Sequence, residues 1–399
     1  MDPHFRKLYN EQFTQERYAW FQNELSRRLS CKFEFRLAET PVFLSDDFKA
    51  QAVKAAREIV GQLSDPARLE KMKRAIPPRW NVPGMDALPS VTQVDFAIVE
   101  SNGRLVPKLI ELQGFPSLTA LQVAKRDVYN DMMQSMRGLD RYWSCWFSGL
   151  DREGFRELAR RTIVGKQDPH EVILMDIDPP AQKTYPDFAA TKLLFDVDAV
   201  DPMTLVKRGN KLFRTDGTPV RRIYNRVVFD ELIQKKIQLP FDHREELDVE
   251  WVPHPNWYWT WSKYSLPFLD HPTVPKAIFL SDLERVPDDL SRYVLKPLFS
   301  FAGGGVNVDP TPADIAAIPE DERQAWCIQE KIEYAPAIQA ADSGGVKAEI
   351  RMMFFRPDDE AKPILGQNLV RLSRGKLLGV DFNKAFTWVG SSIALWPAS

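Results

Sequence analysis

A mixed α/β (α+β) architecture is what this sequence predicts, and three patterns carry that expectation. Apolar residues recur at helical spacing in the first 75 residues, strand-like alternation begins at residue 93, and strands with hairpins return from residue 293 onward. Composition sets bounds on function. The chain has 399 residues, with 53 Lys plus Arg against 55 Asp plus Glu, for a formal net charge of −2. That balance offers no bulk field for capturing nucleic acid or an anionic membrane, so neither is expected as a partner. Aromatic residues make up 11% of the chain and run along its whole length, which excludes a disordered polypeptide. No stretch approaches the ~18 apolar residues of a spanning helix. The start, Met1-Asp2-Pro3-His4, is too polar for a signal peptide. Cys31, Cys145 and Cys327 form no Cys-x-x-Cys pair, so no disulfide framework or thiolate zinc site is expected, and the setting is a reducing cytoplasm.

The elements follow in order. Ser45-Asp46-Asp47 is a helix N-cap cluster, and Phe48, Ala52, Ala55, Ile59 and Leu63 then recur at helical spacing. Pro77-Pro78 and Pro83-Gly84 end that pattern. The run from Gln93 to Val99 alternates as a strand, Ser101-Asn102-Gly103 is a turn, and Leu105 to Gln113 is a second strand. Residues 118–165 read as helical, 172–177 as a buried strand, and 203–207 and 219–229 as short strands. The stretch 251–275, with Trp251, Trp257, Trp259 and Trp261 between prolines, reads as a packed irregular connection rather than a ligand platform. Strands are expected at 293–297, 306–308 and 326–332, with helical pieces within 312–325.

Chemistry concentrates first in the hairpin, which carries Asp95, Glu111 and Gln113. A two-residue loop at Asn102-Gly103 pairs Asp95 with Ile110 and turns Glu111 to the opposite face. A three-residue loop pairs Asp95 with Leu109 and leaves Glu111 diagonally across on the same face, about 7–8 Å away. Two carboxylates and an amide oxygen so placed suit Mg²⁺; a solvated hairpin face is the plainer alternative. The apolar turn Gly114-Phe115-Pro116-Ser117-Leu118 that follows is unusual for a merely solvated edge.

The second concentration is Lys296, in a strand ahead of Gly303-Gly304-Gly305. Successive glycines let backbone N–H groups turn toward an anion, and a lysine beside them suits phosphate. The spacing matches neither a Walker A loop nor a Gly-x-Gly-x-x-Gly turn. Glu349 and Arg351 lie two apart in a strand and share a face, a common arrangement for a cross-strand ion pair. Lys263, in Trp261-Ser262-Lys263, reads by default as a surface lysine.

As an ordered set, these segments resemble the ATP-grasp superfamily, in particular the circularly permuted branch of the glutathionylspermidine synthase synthetase domain. The family's Asp-Phe-Ala…Lys-x-x-Glu-x-Asn…Pro-x-Ser-Leu pattern is similar to Asp95-Phe96-Ala97…Lys108-Leu109-Ile110-Glu111-Leu112-Gln113…Pro116-Ser117-Leu118. Its Ser-Asn-Lys segment is similar to Trp261-Ser262-Lys263, its Leu-Lys-Pro strand to Leu295-Lys296-Pro297, and its adenine-hinge pair to Gln329-Glu330. Gln113 stands where the family has an Asn metal ligand, and Gln93 where it often has an Arg. Nothing resembles the separate amidase domain.

The resemblance implies a permuted ATP-grasp fold with a glycine-loop lid and three regions: helical 1–90, a metal-hairpin and substrate region 91–260, and a lid and nucleotide region 261–399. It implies an ATP- and Mg²⁺-dependent ligase joining a small-molecule carboxylate to an amine through an acylphosphate. Asp95, Glu111 and Gln113 would hold Mg²⁺. Lys263, Lys296, Gly303, Gly304, Gly305, Gln329 and Glu330 would hold ATP. Arg351 would stabilise the transferring phosphoryl and Arg226 would hold the carboxylate substrate. Asp381 and Asn383 are weaker candidates for lining the acceptor side or assisting the metal, with a surface turn as their plainer reading. The alternatives are a degenerate member that binds nucleotide or a partner without ligating, and a small-molecule kinase using the same phosphate site.

Overall fold

The computed structural model of the chain describes residues 1–228, 232–233, 235–299, 305–375, 383 and 385–398. The helical start comprises α1 (Pro3–Gln12), α2 (Gln15–Leu29), α3 (Asp46–Leu63) and α4 (Pro66–Met72), with β1 (Val42–Phe43) between α2 and α3. Each helix begins on a side-chain cap: Asp2, Thr14, Ser45 and Asp65 accept from backbone N–H groups of the first turn. α3 buries Phe48, Ala52, Ala55, Ile59 and Leu63, the positions that helical spacing picks out.

Next come β2 (Val91–Ser101) and β3 (Arg104–Gln113). Ser101 faces Arg104 across the turn, and Asn102 (φ 52°) and Gly103 (φ 72°) are both left-handed, so the loop has two residues. Neither geometry expected for this hairpin is the one found. A β-bulge shifts the register beyond Phe96, which faces Leu109, so that Asp95 faces Glu111 directly. Ile110 is the extra residue, and it returns Glu111 to the face of Asp95.

The stretch 118–165 is two helices, α5 (Leu121–Met133) and α6 (Arg152–Ile163), with β4 (Trp143–Ser144) between them. β5 (Val172–Met175), α7 (Tyr185–Phe195) and β6 (Asp198–Val200) follow, then the small sheet of β7 (Val206–Arg208), β8 (Lys211–Phe213) and β9 (Pro219–Val220), then β10 (Arg222–Asn225) and β11 (Glu250–Val252). A parallel sheet runs in the order β11-β10-β5-β6. Buried Arg222 ties it to α6 by donating to the carbonyls of Thr162 and Ile163, where a helix C-terminus favours positive charge.

Trp257 and Trp259 in the turn α8 (Trp257–Thr260), and Trp261 just after it, are buried. β12 (Ala277–Phe279), β13 (Tyr293–Pro297), α9 (Pro312–Ala316) and β14 (Trp326–Glu330) build an antiparallel sheet of order β12-β14-β13. The strand expected at 306–308 reduces to one bridge between Asn307 and Leu295. The chain ends with β15 (Ile338–Gln339), β16 (Gly345–Phe355), β17 (Ile364–Ser373), β18 (Gly390–Ser392) and β19 (Ala394–Pro397).

The central antiparallel sheet has the order β18-β17-β16-β2-β3, with β15 on β16. It joins strands from opposite ends of the sequence, and β2 is buried on both faces from Val91 to Val99. The outer edge of β3 is covered by the 270s segment: Leu109 N–H donates to Thr273 O at 2.8 Å and Lys108 Nζ to Pro272 O at 2.7 Å. Among the described residues, no helix is long and apolar enough to cross a membrane.

Candidate functional site

Strand register sets the site. One face of the central sheet carries the row Glu111–Asp95–Arg351 across β3, β2 and β16, flanked by Glu349 opposite Arg371 on β16 and β17. The adjacent row is Gln113–Gln93–Met353–Gln367. Period-2 alternation puts these residues together, because 93 and 95, 111 and 113, 349 and 351 are each two apart.

Asp95 is fully buried, and its carboxylate is held by guanidinium groups. Arg351 donates through Nε to Oδ1 at 2.7 Å and through Nη2 to Oδ2 at 2.6 Å, and Arg371 Nη2 adds a bond to Oδ2 at 2.8 Å. Burial by itself raises the Asp95 pKa. The two arginines outweigh it and hold the carboxyl below the usual range. Arg371 also pairs with Glu349. Burial dominates there, and Glu349 is pushed up to about 7, with the Asp95 charge adding to the rise and Arg371 opposing it. Tyr334 completes the group: burial pushes its phenol well up, and Glu349, Arg371, Asp95 and Glu111 all lie near enough to affect it.

Beside this network, a cavity of about 40 Å³ is lined by Glu111, Gln113, Ser262, Lys263, Leu298 and Phe299, with aromatic walls from Phe115, Tyr258 and Trp261. Lys263 is placed by the Ser262 cap of a short 3-10 segment, and its ammonium lies 3.9 Å from the Glu111 carboxylate. Lys296, on β13, is buried; its Nζ donates to Gln329 Oε1 at 2.6 Å. Burial lowers the Lys296 pKa, and the charges of Glu111 and Glu349 partly offset that. Gln113 Oε1 is buried without a hydrogen-bond partner.

Gly114 ends β3 where the hairpin meets the tryptophan segment, and its N–H donates to Trp261 O at 2.7 Å. A Cβ here would collide with the Trp257 carbonyl and press on Trp261 Cβ. Gly114→Ala is therefore expected to lose about 1–3 kcal/mol in urea denaturation and to shift the intrinsic tryptophan fluorescence. A change under about 0.5 kcal/mol would mean that the two segments are not so closely joined.

The structure brings Glu111, Gln113 and Lys263 to one cavity, with Lys296 and Gln329 near it. It departs from several expectations. Asp95 does not offer a free oxygen pair to a metal, because both its oxygens already accept from arginine. Arg351 is engaged by Asp95 rather than free to meet a phosphoryl group. Arg226 is in a buried ion pair with Asp187 (2.7 Å), so the carboxylate it holds is the chain's own. Gln329 is buried and positions Lys296, whereas Glu330 is exposed and accepts from Lys276 N at 3.0 Å. Gly303, Gly304 and Asp381 lie outside the described residues; Gly305 is left-handed at φ 72°. Asn383 accepts from Ser373 Oγ and the N–H groups of Arg374 and Gly375, as a turn-former after β17. Sequence reasoning missed Arg371 and Tyr334. Arg371 could have been found only through its register opposite Glu349.

No family model matches the chain, and no curated protein matches it in sequence. Among solved structures, it is similar to a glutathione synthetase-like effector (GSS30) from Globodera pallida in its apo form, at 13% identity and a TM-score of 0.59. The match covers 100% of this chain and 98% of that one. The chain therefore has a mixed α/β fold of the glutathione synthetase-like kind along its whole length.

Proposed function

We propose that this protein is an ATP- and Mg²⁺-dependent carboxylate–amine ligase of the ATP-grasp kind, laid out like the circularly permuted branch. The observation that carries this reading is the convergence of Glu111, Gln113 and Lys263 on one cavity that Leu298 and Phe299 also line. The donor set suits Mg²⁺. Glu111 offers a carboxylate and Gln113 an orphaned oxygen, and Mg²⁺ is usually bound by one or two protein oxygens plus substrate phosphates. Among the described residues no group of three or more His, Cys, Asp or Glu could hold a metal. Bound Mg²⁺ would supply charge neutralisation at the β- and γ-phosphates of ATP.

The chain's own residues do the rest. Lys263 and Lys296 present two ammonium charges to phosphate, and Gln329 fixes the reach of Lys296. Leu298 and Phe299 exclude water, which protects an acylphosphate from hydrolysis. Arg351 and Arg371 act as positioning residues, since they hold the strand opposite Glu111 through Asp95. The proposed reaction passes the γ-phosphoryl to a small-molecule carboxylate, and an amine then displaces phosphate to form the amide. The free cysteines suit a cytoplasmic setting.

The engagement of Asp95 by two arginines favours one alternative, a nucleotide binder that ligates nothing. Calorimetric titration of ATP with and without Mg²⁺ addresses both. Wild type is expected to need Mg²⁺ for tight binding, and Glu111→Gln to weaken that binding at least about tenfold, about 1.4 kcal/mol. ADP release and an amide product with some acid–amine pair would select the ligase, and a stable phosphate ester would select a kinase. Absence of nucleotide binding under all conditions would sink every one of these readings.

A further inference from the structure

Three glutamines that the ligase reading does not use share one arrangement. Gln93 on β2, Gln122 on α5 and Gln367 on β17 are each fully buried. Their amide nitrogens donate to three consecutive main-chain carbonyls: Gln93 Nε2 to Ser117 O at 3.4 Å, Gln122 Nε2 to Leu118 O at 2.8 Å, and Gln367 Nε2 to Thr119 O at 2.7 Å. This fixes which end of each amide is nitrogen, because a flipped amide would set oxygen against oxygen. In all three, Oε1 is left buried with no hydrogen-bond partner. Gln113, directly across from Gln93, has the same orphaned oxygen and lines the cavity described above.

The register puts two of the three in one row of the sheet. Gln93 faces Met353 and Met353 faces Gln367, so the two glutamines share a row about 10 Å wide between backbones. Both lean toward the Ser117–Thr119 segment, where Thr119 Oγ1, already accepting from Tyr224 OH at 3.2 Å, adds a further oxygen.

A buried acceptor without a donor is costly, and native interiors rarely leave one empty. Several around one short segment call for a donor or a positive charge. The cations of neighbouring elements are committed elsewhere: Arg351 and Arg371 to Asp95, Arg226 to Asp187, and Lys125 to Ser391 and Ser392. Gln93, Gln122 and Gln367 are neutral oxygen donors with no carboxylate among them. Such a set suits a monovalent cation, as rings of amide carbonyls do, better than a divalent one, which recruits carboxylates.

We propose that Gln93, Gln122 and Gln367, arranged around Ser117-Leu118-Thr119, form a buried site for a monovalent cation. The same chemistry has two sources, inorganic potassium and the ammonium group of an amine, and the site borders the cavity at Gln113.

The test compares melting temperatures at constant ionic strength in potassium, ammonium, methylammonium and choline chlorides, for wild type, Gln93→Met and Gln367→Met. Wild type is expected to melt about 2–4 °C higher in potassium or ammonium than in choline, and both variants to lose the difference. A rise with potassium and ammonium but not methylammonium identifies an inorganic ion; an equal or larger rise with methylammonium identifies an amine. Identical melting in all four salts means that water satisfies the oxygens, and overturns the proposal. A potassium-dependent rise that survives both substitutions also overturns it. If the variants fail to fold, wild-type crystals soaked in rubidium decide: anomalous density among the three Oε1 atoms supports the site, and its absence refutes it.

Discussion

Arg351→Met is expected to remove about 3–5 kcal/mol of stability at neutral pH, because it strips Asp95 of its two-pronged partner while leaving the carboxylate buried. Arg371 keeps one bond to Asp95, but it is shared with Glu349. The dependence on pH has a definite sign. In the wild type the Asp95 pKa is depressed, so its contribution to stability is present above the ordinary carboxylate range and is lost as pH falls through the folded-state value. In the variant, burial dominates and moves the Asp95 pKa upward. The variant then gains relative to wild type on going from pH 7 to pH 5, as its buried carboxylate takes up a proton. Glu349 adds a slope of one sign to both proteins: pushed up to about 7, it favours the folded state below its unfolded pKa and loses that contribution as pH rises toward 7. Urea denaturation at the two pH values checks this. Removing both partners, as Asp95→Leu with Arg351→Met, is expected to cost less than the sum of the single changes. A loss below about 1 kcal/mol for Arg351→Met would mean that this pair is a bystander.

How far the sequence reaches is clearest in this network. The period-2 pattern places Glu349 and Arg351 on one face and allows an ion pair there, but the role assigned to Arg351, stabilising a transferring phosphoryl group, is not the contact found, which is with Asp95. What the sequence could not supply is the partner. Asp95 and Arg351 are 256 residues apart, and only the antiparallel pairing of β2 with β16 joins them. The hairpin teaches the same lesson at short range. Asn102-Gly103 signals a two-residue turn, but the bulge at Ile110 that decides which face Glu111 takes has no local signature. Helices were legible where caps and apolar spacing agree, as in α3. The break at β4 within 118–165 was not, since Trp143 and Ser144 become a strand only by pairing with β19. Arg226 shows the converse error: a motif-like position whose charge is consumed by Asp187 from a helix that the sequence does not connect to it.

Lys296→Met separates function from fold most sharply. If phosphates reach this lysine, losing its charge from a buried position should weaken Mg²⁺-dependent ATP binding by about 2–4 kcal/mol, roughly thirty- to a thousand-fold. Stability should move by no more than about 1 kcal/mol, because two effects oppose. Removing a buried ammonium relieves a desolvation cost, the same cost that lowers the Lys296 pKa. At the same time Gln329 Oε1 loses its donor and cannot turn to find another, since Gln329 Nε2 donates to Pro275 O. The pH profile distinguishes these terms. With a folded-state pKa below the unfolded one, wild-type Lys296 makes the protein more stable as pH rises from the folded value toward 10.5, and the methionine variant should lose that slope. Unchanged ATP affinity would mean that β13 does not face the phosphates. Loss of affinity together with a fall of several kcal/mol in stability would make Lys296 a structural residue. Loss of affinity in a protein that folds as well as wild type is the outcome a phosphate-binding lysine requires.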